Sequence, residues 1–206
     1  VSAIGTWKYT VTSVADSFCT KASNSFATIK IKALPSIAPL TNQTVCAGAS
    51  SIASSFATIP AGGTFSWTNS LTSIGLPASG SGNVPSFVAI NSGATNVVST
   101  IAVSPILAGC AGASSNYTIT VSPMPTVNVP ANQSVCNGTV IPASSLSSVP
   151  AGASYTWTNS NTAIGLAASG SGNVPAFTAS NLTTSSVIGT ITVTPQIGVC
   201  TGTAAS

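Results

Sequence analysis

The sequence predicts an all-β chain of tandem, seven-stranded β-sandwiches. Three observations carry that expectation. The stretch WTNSLTSIGLPASGSGNVPSF, Trp67 to Phe87, recurs as WTNSNTAIGLAASGSGNVPAF, Trp157 to Phe177, with 17 of 21 positions identical at an offset of 90 residues. A repeat of that length marks a tandem array of structural modules. Apolar and polar residues also alternate with period two in many short runs: Trp7, Tyr9 and Val11 with Lys8, Thr10 and Thr12; Tyr117, Ile119 and Val121 with Thr118 and Thr120; Ile191 and Val193 with Thr190, Thr192 and Thr194. That is the pattern of half-buried strands. Finally, turn signals such as Pro60-Ala61-Gly62-Gly63 and Gly80-Ser81-Gly82-Asn83 recur at short spacing, and no window shows helical periodicity.

One module is laid out on residues 36–125. A first strand is expected over residues 36–45 and a second over 51–59, ending at the Pro60 turn. A third, 64–68, carries Trp67. Ile74-Gly75-Leu76 reads as a short edge segment before the GSGNVP turn, followed by a strand at 85–90. Residues 97–103 and 116–121 close the module as a hairpin. Seven strands with a Trp on the third is the arrangement of an immunoglobulin-like sandwich, in which that Trp is core. Trp67 and Trp157 are accordingly expected to be core residues. By the same register, residues 1–35 are the last two strands of a truncated module, and residues 126–206 are a module lacking its final strand. Leu34-Pro35-Ser36 and Pro123-Met124-Pro125 are expected to be semi-rigid joints.

Composition narrows the chemistry. Of 206 residues only Lys8, Lys21, Lys30, Lys32 and Asp16 carry formal charge, and there is no His, Glu or Arg. Beyond Lys32 the surface must be Ser, Thr, Asn, Gly and Ala, indifferent to pH and salt and lacking the like-charge repulsion that keeps molecules apart. Catalysis needs titratable or nucleophilic groups held beside a partner, so no enzyme activity and no catalytic residue is expected. No cofactor or metal site is expected either, since oxygen-ligand sites depend on carboxylates. Nucleic-acid binding lacks its basic patch, and no apolar run approaches the roughly 18 residues of a spanning helix. GSGNVP has no adjoining helix or lysine with which to cradle phosphate, so it reads as a glycine-dependent turn.

Five cysteines remain: Cys19, Cys46, Cys110, Cys136 and Cys200. Cys46 and Cys110 are 64 residues apart, and so are Cys136 and Cys200. Equal spacing in two repeats suggests one disulfide inside each module, Cys46–Cys110 and Cys136–Cys200. A four-cysteine metal site fits poorly, because no C-x-x-C pair is present. Cys19 lies in the hairpin equivalent to that of Cys110. Its expected partner lies upstream of Val1, so its predicted bond is to a residue outside this chain, or its thiol stays reduced. Disulfides imply an extracellular or cell-surface location.

The pattern NQTVC…FSWTNS…IGLPASGSGNVPSF…GC…YTITVSPMPTV resembles the PKD-like, immunoglobulin-like tandem repeats of large secreted, adhesin-type surface proteins of Bacteroidota. The resemblance implies a long exported array and carries no catalytic residue. The expected function is therefore a structural or adhesive extracellular repeat protein: part of a stalk, fibre or surface layer that self-associates head to tail or continues as a longer array. One route to such a fibre is donation of the 25–33 strand to the third module of a neighbouring chain. The alternative is a module that binds a surface glycan or a protein partner through loops at one end of the sandwich, with Phe65 and Tyr155 as the candidate aromatic pair.

Overall fold

A computed structural model describes residues 5–15 and 17–206 of the chain. Asp16, the single acidic residue, lies outside the described residues. The chain is all-β, with immunoglobulin-like sandwiches as its repeating form.

Residues 5–31 make two small ribbons. Strands β1 (Gly5–Thr10) and β4 (Phe26–Ile31) pair antiparallel with Trp7 opposite Ile29, and β2 (Ser13–Ala15) pairs β3 (Thr20–Ala22). Period-two alternation needs a partner sheet to bury one face. Among the described residues no sheet covers this ribbon, and Tyr9, Phe26 and Ile29 remain more than half exposed. Lys8 Nζ sits 4.0 Å above the Phe26 ring and covers part of it.

The central unit holds β5 (Ser36–Ile37), β6 (Gln43–Cys46), β7 (Thr58–Ile59), β8 (Thr64–Asn69), β9 (Ser79–Ser81), β10 (Val97–Leu107), β11 (Cys110–Ala111) and β12 (Ser115–Ser122). One sheet has the order β6-β12-β10-β8-β9, with β11 folded back on β10. The facing layer is built from the β5–β7 pair and two irregular segments joined by the bridges Ser50–Val88 and Ser54–Val84. The expected first strand is thus split. Pro39, which has no N–H to donate, lies in the gap; β5 pairs β7 in one layer while β6 pairs β12 in parallel in the other. The strands expected over 51–59 and 85–90 are reduced to β7 and isolated bridges. The edge segment at residue 74 is a short 3₁₀ turn, Thr72–Ile74.

The core explains the best-matched stretch of sequence. Trp67 is 4% exposed and packs with Ile101, Val103, Tyr117 and Ile119. Its ring lies flat against the backbone at Gly80, where an added Cβ would stand 2.3 Å from Trp67 Cζ2. Only glycine permits that approach. Asn69, three positions from Ser66 on the same strand and 8% exposed, donates from Nδ2 to the carbonyls of Leu71 and Leu76 and accepts from the Leu71 N–H and the Ser99 hydroxyl. Asn83 accepts from the Phe56 N–H at 3.0 Å. In a chain almost without charge, amides hold the loops to the core.

The C-terminal unit repeats this plan. Its strands are β13 (Thr126–Asn128), β14 (Val140–Ile141), β15 (Ser147–Val149), β16 (Ser154–Asn159), β17 (Ser169–Ser171), β18 (Phe177–Thr178), β19 (Ile191–Ile197) and β20 (Cys200–Thr201). The sheet order β17-β16-β19-β20 matches β9-β8-β10-β11. Trp157 is 3% exposed, with Gly170 against its ring at the same 2.3 Å. The place of β12 is represented by Ala205, which bridges Val193. Val135 is accordingly 46% exposed where Val45 is 8%.

Replacing Gly80 by Ala drives a methyl into the Trp67 ring. Overpacking of that kind costs about 1–3 kcal/mol, so Gly80→Ala should lower the urea midpoint of the central unit. An unchanged midpoint would contradict the packing described.

Candidate functional site

Among the described residues no group of three or more His, Cys, Asp or Glu side chains gathers as a metal site would require, and no helix is long and apolar enough to cross a membrane. What the fold does build is a covalent junction between its two sandwiches.

Strand β10 is central to that junction. Its first residue, Val97, pairs Val121 near the end of β12, and its last, Leu107, pairs Cys110 on β11. Cys46 closes β6 and pairs Ser122. Cys46 and Cys110 therefore stand at opposite poles of the same sheet. Eleven residues of strand at about 3.3 Å each place them roughly 35 Å apart along the sheet, whereas a disulfide needs Cα atoms within about 7 Å. The expected Cys46–Cys110 bond does not form. Cys46 is instead bonded to Cys200 of the C-terminal unit, with Cα atoms 5.6 Å apart. The expected Cys136–Cys200 bond is absent as well, because Cys200 is taken by Cys46; Cys110 and Cys136 carry no disulfide. Cys19, exposed, lies just ahead of β3.

The meeting of Cys46 with Cys200 follows from how the linker seats. Gly202, just past β20, is in such close contact with the Pro125 carbonyl that a Cβ there would lie 1.8 Å from its oxygen. The Gly202 N–H donates to the Pro195 carbonyl at 2.8 Å. Pro125 and Pro195 are both fully buried. The hairpin carrying Cys200 is thereby folded over the entrance of its own unit, where it faces the exit of the unit before. The Ala47 N–H donates to the Ser122 carbonyl at 2.9 Å and holds Cys46 at that exit. Two covalent connections, the 123–125 linker and the disulfide, join the units. Cys200 is wholly buried in the junction.

The same seat exists one unit earlier. A Cβ at Gly112 would lie 1.8 Å from the Pro35 carbonyl oxygen, and the Gly112 N–H donates to the Pro105 carbonyl at 2.9 Å. Lys32 Nζ donates to the Ala108 carbonyl across that junction. Cys110 is half-buried beside it.

A second feature lies on the flank of the central unit. A cavity of about 650 Å³ opens between the residues around Pro39–Cys46 and those around Ser50–Phe56. Gln43 Nε2 donates to Ser54 Oγ at 2.8 Å, and Ser54 Oγ shares a hydrogen bond of 2.8 Å with the Tyr117 hydroxyl. Burial pushes the Tyr117 hydroxyl above the usual tyrosine range, and the Ser54 hydrogen bond pulls it partly back. The aromatic pair considered for glycan stacking is not a platform. Phe65 is 9% exposed and packs edge-on against Phe56 at 5.5 Å between centroids, and Tyr155 is half-buried.

Because Tyr117 is held neutral in the folded state, the folded chain keeps a proton that the unfolded chain releases near pH 10. Stability should therefore fall as pH rises through that region. Tyr117→Phe should flatten this alkaline loss in denaturation curves recorded between pH 8 and 11. An identical slope in the two proteins would contradict the assignment.

No family model matches the chain, and no curated protein matches it. Among solved structures, the chain is similar to the crystal structure of the N-terminal Ig1-2 module of the Drosophila receptor protein tyrosine phosphatase DLAR. The identity is 12% and the TM-score 0.30, over 84% of this chain and 96% of that one. The immunoglobulin-like assignment rests on the strand order and the two Trp-centred cores.

Proposed function

We propose that this chain is a non-enzymatic, extracellular structural segment, a length of stalk or fibre whose sandwiches are stapled end to end. The Cys46–Cys200 bond is the single observation that carries this reading. A disulfide inside one module stabilises that module alone. One that joins the exit of a module to the entrance of the next limits bending between them. Both sandwiches present an uncharged surface, and the near absence of charge favours association of such surfaces. The resemblance to PKD-like repeats of secreted, adhesin-type proteins of Bacteroidota supports a place on the cell surface, within a longer array or a head-to-tail assembly. A glycan- or partner-binding role is the second reading. The flank cavity with its Gln43–Ser54–Tyr117 hydrogen bonds favours it, and binding of a neutral glycan that is lost in Gln43→Ala would support it over the stalk.

The stalk reading has a mechanical consequence. The bonded cysteines are 154 residues apart in sequence, so tension applied at the chain ends passes through the sulfur bridge and bypasses everything between. At about 3.4 Å per extended residue, roughly 500 Å of contour is locked away. In single-molecule extension the oxidised chain should yield that much less length than the Cys46→Ser chain. Equal extension in the two would refute the mechanical role.

A further inference from the structure

We infer that Cys110 and Cys136 are the two halves of the same inter-unit staple, each awaiting the opposite-pole thiol of another copy of this repeat. This deepens the array reading and rests on it for the existence of a neighbouring unit. The argument comes from Cys46 and Cys200, which show the completed bond. Cys110 occupies the place of Cys200. It opens β11 opposite Leu107 as Cys200 opens β20 opposite Ile197. Its hairpin is folded over Pro35 as the other is folded over Pro125, with the same 1.8 Å approach at Gly112 and Gly202. Cys136 occupies the place of Cys46. The Cys136 carbonyl accepts from the Thr139 N–H at 3.1 Å, as the Cys46 carbonyl accepts from the Ala49 N–H at 3.0 Å. The Gly138 N–H donates to the Ala179 carbonyl at 2.8 Å, as the Gly48 N–H donates to the Ala89 carbonyl at 2.8 Å. The turn that presents each sulfur is thus built before its partner arrives. Cys136 is exposed at the exit of the C-terminal unit, and Cys110 is half-buried at the entrance of the central unit.

The pairing is polar: an exit cysteine bonds an entrance cysteine. Intra-unit pairing is excluded in the central unit by the length of β10 and in the C-terminal unit by the bond that Cys200 already makes to Cys46, and exit-to-exit pairing lacks the hairpin fold that receives Cys46. Each bond formed removes one proton from each thiol and two electrons from the sulfur pair. The electrons pass to a disulfide oxidant such as glutathione disulfide, which is cleaved to two thiols. The partner is a second copy of this chain or a further repeat of the same polypeptide. The thiol chemistry is common to both.

The test uses the full chain carrying Cys19→Ser, so that only the two poles report, incubated with glutathione disulfide and resolved without reductant. A ladder reaching at least tetramer, with a Cys110–Cys136 cross-linked peptide and an intact Cys46–Cys200 peptide, is expected. Cys110→Ser and Cys136→Ser should each abolish the ladder. Mixed together, they should give a heterodimer and nothing longer. Cross-links that are chiefly Cys136–Cys136, or two thiols that stay open to iodoacetamide with no ladder, would overturn the inference. In protein isolated from its source, the bond within one polypeptide assigns the partner to a neighbouring repeat, and the bond between polypeptides assigns it to a second copy. Rods that lengthen without this bond would overturn the inference and leave the array reading standing.

Discussion

The length of β10 decides which cysteines can meet. Eleven residues of continuous strand hold the entrance and exit of the central unit apart, and a strand paired on both sides does not shorten. A sulfur at the exit can reach only what lies beyond the unit. What lies beyond is the hairpin of the next sandwich, folded over Pro125 and presenting Cys200. From that single constraint follow the two covalent connections at the junction and the separation of Cys46 from Cys110 at opposite poles of the central unit. In the chain-entropy view, a bond closing 154 residues stabilises the folded chain by about 5 kcal/mol. It also fixes one unit against another, which burial within either unit cannot do.

Within each unit, geometry takes the place that charge holds in most proteins. The Trp67 ring needs a backbone without a Cβ, and Gly80 supplies it; Gly170 does the same for Trp157. Asn69 and Asn159 satisfy the carbonyls of the loop that follows, and Asn83 and Asn173 tie the GSGNVP turn to the facing layer through the N–H groups of Phe56 and Leu146. Buried amides with several partners are stable where isolated ones are costly. The motif that recurs most faithfully is therefore the one in which ring, glycine and amide depend on each other. Its repetition is a folding requirement, and the surface around it is left uncharged in both units.

Much of this could be read from the residues. The strands expected over 64–68, 97–103 and 116–121 became β8, β10 and β12, because each lies in a sheet with one covered face. The facing layer was less legible. Pro39 divides the first strand, and the segments around Ser51 and Val88 keep only bridges, since they bond to each other at scattered positions such as Ser51 N–H to the Phe87 carbonyl and Ser54 N–H to the Val84 carbonyl. The disulfide pairing differs from the one the spacing predicts for a reason intrinsic to repeats. Cys46 to Cys110 spans 64 residues and Cys46 to Cys200 spans 154, and 154 − 90 = 64. In an array of period 90 the two pairings differ by one whole repeat, so spacing cannot tell a bond within a unit from a bond to the next. The signal that could have separated them was the parallel pairing of the Cys46 strand with the end of the closing hairpin, which puts Cys46 at the exit. The cavity beside Gln43 and Ser54 was invisible for a related reason: it exists only because the first strand breaks and leaves the layer.

The central claim is that successive sandwiches are joined exit to entrance by sulfur. Proteolysis of the oxidised chain without reductant, followed by mass mapping of the linked peptides, tests it most directly. Linked peptides containing Cys46 and Cys200 are the predicted result. Peptides linking Cys46 to Cys110 and Cys136 to Cys200 would contradict it.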